Sequence, residues 1–69
     1  MFESKISELM NKQGKTLQEL VKITNIPRTT LLRLSKDIDL GKISLSTLVT
    51  ISMALNCKVE DLFRKKSGN

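Results

Sequence analysis

The chain reads as an all-α domain of five short helices packed compactly within 69 residues. Three observations predict it. Apolar residues recur at three- and four-residue spacing along most of the chain. Only one Pro interrupts it, and there is neither an internal repeat nor a low-complexity run. The boundaries between periodic segments carry helix-capping and helix-stop residues. Residues 1–66 form one domain in this reading, and 67–69 are a frayed tail.

The first helix is expected over residues 2–13. Phe2, Ile6, Leu9 and Met10 recur at helical spacing with polar residues between them, and Gly14 supplies the stop. The second start is marked by Thr16-Leu17-Gln18-Glu19, a capping box. Its inward stripe is Leu17, Leu20, Val21 and Ile23. Asn25 tolerates the left-handed backbone that ends a helix. Pro27 disfavours helix at Ile26 yet suits the first position of a new one. A third helix therefore spans 27–35 with Leu31 and Leu34 inward. Residues 35–43, with Lys36, Asp37, Asp39, Gly41 and Lys42, read as a loop. Ser44 caps a fourth helix carrying Leu45, Leu48, Val49, Ile51, Met53 and Leu55, and Asn56 stops it. A last helix starts at Val59, with Glu60 and Asp61 in its first turn and Arg64, Lys65 and Lys66 at its end, matching the helix dipole.

Composition narrows the function. Twelve Lys and Arg oppose seven Asp and Glu for a formal charge of +5. That balance favours a polyanionic partner, nucleic acid before an acidic membrane surface. One Cys and no His leave neither a disulfide nor an ordinary structural zinc site, and remove the usual general base. No enzyme, metal or cofactor is expected. Glu3 stands early and no apolar stretch follows Lys5, so no secretory signal is expected. The free thiol points to the cytosol. Nothing approaches the roughly 20 apolar residues of a membrane span.

The pair of helices around Asn25 has helix-turn-helix spacing: eight residues, a three-residue turn, then nine residues beginning at Pro27. Thr16-x-x-Glu19-Leu20, the run from Asn25 to Leu34, Ser44-Leu45-x-Thr47-Leu48 and Ala54-Leu55-Asn56-Cys57-x-x-x-Asp61-Leu62-Phe63 together resemble the Xre/Cro/phage-repressor helix-turn-helix family. The resemblance runs from Ile6 to Phe63. It implies the five-helix lambda-repressor-like fold and DNA binding, commonly as a homodimer on a two-fold symmetric operator. Three positions depart from the family pattern: Asn25 stands for the usual turn Gly, Val21 for a small residue at the helix crossing, and Leu17 for a Gln that often touches DNA.

The third helix supports the same reading from its chemistry. From Pro27 to Lys36 there are three cations and no carboxylate. With Leu31 and Leu34 inward, Arg28, Thr29, Leu32 and Arg33 project outward as i,i+4 pairs. A guanidinium can bind guanine O6 and N7, while Thr or Leu can meet a thymine methyl. A solvated basic face is the plain alternative. For Leu32 the alternative is satellite core beneath the 36–43 loop. Thr16, Lys36, Lys42 and Ser44 are candidate phosphate contacts, with Lys15 behind them. Simple capping accounts equally for Thr16 and Ser44, and solvation for the two lysines. Leu55, Val59, Leu62 and Phe63 lie where the resembling family dimerises. Phe63 is assigned to the core, and Val59 and Leu62 to a dimer interface. Cys57 reads as a buried, inert thiol.

The expected function is a sequence-specific DNA-binding regulator, a small cytoplasmic repressor of bacterial or phage type. Its partners are double-stranded DNA and a second copy, with no membrane and no small-molecule ligand. The serious rival is a protein-interaction module on the same fold, such as an antitoxin or a phage-encoded inhibitor.

Overall fold

The computed structural model describes residues 2–65. In chain order these form strand β1 (Phe2–Ser4), helices α1 (Ile6–Gln13), α2 (Leu17–Thr24) and α3 (Arg28–Lys36), strand β2 (Asp37–Ile38), helix α4 (Leu45–Ala54), a 3-10 turn (Val59–Leu62) and strand β3 (Phe63–Lys65). The described chain is thus four α-helices and a small antiparallel sheet of order β2-β1-β3, not five helices alone. The tail expected at 67–69 lies outside the described residues, as does Lys66.

The sheet corrects three local expectations. Residues 2–4 are strand rather than helix, because Phe2 lies opposite Ile38 on one side and Lys65 on the other, and Glu3 opposite Asp37 and Arg64. Pairing on both edges outweighs the helical spacing of one Phe. The stretch read as a loop instead extends α3 through Lys36 and then pairs with β1 as β2, and Ile38 is fully buried. The last helix shrinks to a single 3-10 turn. Arg64 and Lys65 leave it as strand, so they do not complement a helix C-terminus. Arg64 instead forms an ion pair with Glu3 across the strands, its Nε donating at 2.6 Å to the carboxylate. The rings of Phe2 and Phe63 meet edge to face at 5.3 Å, and both pack against the core. Phe63 is therefore only partly enclosed.

The core gathers Ile6 and Met10 of α1, Leu20 of α2, Leu31 and Leu34 of α3, Ile38 of β2, Leu48, Ile51 and Ala54 of α4, then Leu55 and Leu62. Leu62 is fully buried within the chain, so it cannot present an interface to a partner. Val59 is half-buried against the same core. The buried arc of α2 runs through Leu17, Leu20, Val21 and Thr24. Ile23 lies past its edge and is 58% exposed, contrary to the inward assignment. Of the apolar residues carried by α4, Leu45, Val49 and Met53 are exposed as well.

The α1–α2 connection caps a distant helix. Gly14 takes the left-handed conformation at φ 65° and ends α1. Gln13 Nε2 then donates to the Leu55 carbonyl and Lys15 Nζ to the Ala54 carbonyl, each at 2.6 Å. Both acceptors lie at the end of α4, where carbonyls lack helical partners and a cation complements the dipole.

Ile38→Ala should cost about 2–5 kcal/mol in denaturant unfolding, as for any buried aliphatic truncation. Leu40→Ala, two residues on and exposed, should stay within about 0.5 kcal/mol. Equal effects at the two positions would return this segment to a plain loop.

Candidate nucleic-acid interface

The turn between α2 and α3 fixes how the two helices present themselves. Thr16 caps α2: its hydroxyl accepts from the Glu19 amide at 3.2 Å, and the Glu19 carboxylate accepts from the Thr16 amide at 2.9 Å. At the other end Asn25 adopts φ 61° and its N–H closes on the Val21 carbonyl. Thr24 completes the turn. Its buried hydroxyl donates to the Leu20 carbonyl at 2.7 Å and accepts from the Ile26 amide at 3.2 Å. Sequence reasoning passed over Thr24; a Thr just before the left-handed Asn was the available signal. Pro27 stands at the N-cap of α3 with φ −56°, and its carbonyl accepts the Leu31 N–H.

Leu31 and Leu34 are buried, whereas Arg28, Thr29, Leu32, Arg33 and Lys36 are exposed. At about 100° per residue those five side chains occupy one arc of roughly 140°, centred opposite the two leucines. The four candidate base-contacting residues therefore share one face. Lys36, expected in a loop, is the last residue of α3 and joins them. Leu32 is 41% exposed and stands outside the core cluster, so it is not satellite core in this chain. Ser35 faces elsewhere and returns its hydroxyl to the Leu32 carbonyl at 2.7 Å.

Beside this face lies a groove of about 800 Å³ between the end of α3, the following loop and the start of α4. Arg33, Lys36, Lys42, Ser44 and Thr47 line it, together with Asp37 and Asp39. Three of the four candidate phosphate contacts thus converge. Asp39 organises the loop, its carboxylate accepting from the Gly41 N–H at 3.0 Å and its carbonyl from those of Lys42 and Ile43. Ser44 caps α4 by accepting from the Thr47 N–H at 3.3 Å, and the first turn of α4 carries no acid. Its dipole is therefore open to an anion.

Thr16 is set apart from this groove. Its hydroxyl and amide are both committed to Glu19, so a phosphate there would compete with a resident carboxylate. Lys15 is spent on the end of α4. Those two positions suit structure better than anion binding. Cys57 is half-buried; burial and then the Asp61 carboxylate push its thiol pKa up, with Lys5 opposing, which makes it a poor nucleophile. Among the described residues no cluster of His, Cys, Asp and Glu could hold a metal, and no helix is long and apolar enough to cross a membrane.

A family model described as the Cro/C1-type HTH DNA-binding domain matches residues 5–66. A comparison with curated proteins finds no match. The chain belongs to the Cro/C1-type helix-turn-helix DNA-binding family.

Hydrogen bonds from the Thr16 amide and hydroxyl, helped by Lys15 and Lys22, hold the Glu19 carboxyl below the ordinary glutamate range. A lowered folded-state pKa stabilises the fold above the ordinary value, and that contribution drains away as pH falls through the lowered one. Thermal unfolding of wild type and Glu19→Gln should therefore differ near neutral pH, and the gap should close as acid protonates Glu19 below the ordinary glutamate range. A gap that persists in acid would assign Glu19 a role independent of its charge. Thr16→Ala should cost about 1 kcal/mol near neutral pH.

Proposed function

We propose that this member of the Cro/C1-type family is a sequence-specific transcriptional regulator, a small repressor that lays α3 in the major groove of a palindromic operator as a dimer. The observation that carries it is the exposed arc of α3. It holds three cations and no acid, opposite two buried leucines, on a helix whose rotation the core fixes. From Arg28 to Lys36 the arc spans about 12 Å, comparable with the width of the groove.

In this reading Arg28 and Arg33 address guanine O6 and N7, and Thr29 and Leu32 meet thymine methyls. Lys36, Lys42 and Ser44 hold the phosphate backbone beside the recognition helix, where cations and the α4 amides converge. Thr16 holds a neighbouring phosphate only by sharing its cap with Glu19. A reader of this kind represses by occupancy: a bound operator is closed to other proteins. Binding to a two-fold symmetric site requires half-sites one or more helical turns apart.

Selection from a random duplex library at physiological salt tests the reading. Enrichment of a palindromic site is expected, with affinity falling steeply as salt rises. Arg33→Ala should cost about 1–3 kcal/mol and relax preference at one base pair; an equal loss on every sequence would make Arg33 a phosphate contact. No enrichment of any sequence would sink the regulator and favour a protein partner on the same fold.

A further inference from the structure

Leu32 sits at the centre of the outward face of α3 and packs into no part of the core, with 41% of its surface exposed. It lies about 6 Å along the helix axis from each end of the Arg28–Lys36 arc, and about 40° round from Arg28. Arg28 and Lys36 stand one turn to either side of it, Thr29 three residues before it and Arg33 directly after. The middle of a cationic surface is thus covered by a group that neither donates nor accepts a hydrogen bond. Residues 28–36 include no Asn or Gln to pair with adenine, and no Asp or Glu to accept from the cytosine amino group. Beside the cations, this surface has only hydroxyl and hydrocarbon with which to meet a base.

We propose that Leu32 makes this surface a reader of the pyrimidine 5-methyl group, and so a register of cytosine methylation. In the major groove the apolar feature of a base edge is the methyl at C5. Thymine always carries it, and cytosine carries it only once methylated. The two bases differ at C4, where one presents a carbonyl and the other an amino group. Leu32 can bond to neither, so it accepts thymine and 5-methylcytosine alike and distinguishes both from uracil and cytosine, which lack the methyl. Contact between the leucine and the methyl removes apolar surface of both partners from water. One such methyl accounts for about a fivefold change in affinity. Methylation of a cytosine beneath Leu32 therefore strengthens a site without altering its base pairing. The inference rests on the DNA reading above, and names the chemical group that the centre of α3 recognises within it.

The duplex enriched from the random library supplies the probe. Each pyrimidine in turn is made thymine, uracil, 5-methylcytosine or cytosine, with its matching purine opposite, and the full chain is titrated at physiological salt. At one position uracil should bind about fivefold more weakly than thymine, and cytosine about fivefold more weakly than 5-methylcytosine. Only the methyl differs within each of those pairs. Leu32→Ala should lose both differences there, the coupling expected of two groups in contact. Its circular dichroism should match wild type, since the side chain is exposed. Leu32→Gln, similar in length and helix propensity, should be equally blind to the methyl and replaces an alanine variant that loses helical signal. An enriched duplex on which no methyl matters, or methyl effects that all persist in the Leu32 variants, would overturn the inference and leave the DNA reading standing. A library that yields no enriched duplex sinks both.

Discussion

Burial of Leu31 and Leu34 in the cluster shared with Leu20, Ile51 and Leu62 sets the rotation of α3 about its own axis. A rotation of one residue position, about 100°, would bury a guanidinium without a partner. The aliphatic side chains therefore hold the basic ones outward, with no direct contact between basic side chain and scaffold required. The turn supplies the other constraint. Thr24, Asn25 and Pro27 satisfy the backbone at the helix junction and leave few conformations to it, so α2 and α3 behave as one rigid piece.

The sheet anchors that piece at its far end. β2 follows α3 directly and pairs with β1, which pairs in turn with β3. Arg64 of β3 and Glu3 of the central β1 form an ion pair, and the Lys5 N–H donates to the Leu62 carbonyl at 2.7 Å. The end of α3 is thereby tied to residues at both ends of the described chain. Gln13 and Lys15 do the same for α4 by meeting its last carbonyls. Small domains bury too little surface to be generous with stability, and these few polar ties replace part of a larger core.

The helix-turn-helix was legible because its signals are local. A capping box, a left-handed Asn and a Pro at the next N-cap each act within three or four residues, so a linear reading finds them. The sheet was not legible because its strands are two or three residues long and their partners lie far along the chain. Only Asp37-Ile38-Asp39, an apolar residue between two acids, hints at period-two burial. α4 misled for a different reason. With apolar residues spread over most of its circumference, periodicity cannot say which face is inward, and Leu45, Val49 and Met53 stay outside the core. Lys15 looked like a spare surface cation because nothing nearby reveals that its partner is a carbonyl 39 residues on.

The order of the sheet also bears on how the chain acquires its fold. Its central strand, β1, pairs on one edge with β3, which is made about sixty residues later. During synthesis β1 can meet β2 but must wait for β3, and Leu62 and Phe63 arrive as late. Long-range closure of this kind delays cooperative folding until most of the chain is present. A nascent or truncated chain that already contains α2 and α3 would hold them without the last wall of their core. Formation of the helix pair and closure of its core are thereby separate events, the second waiting on a strand far along the chain.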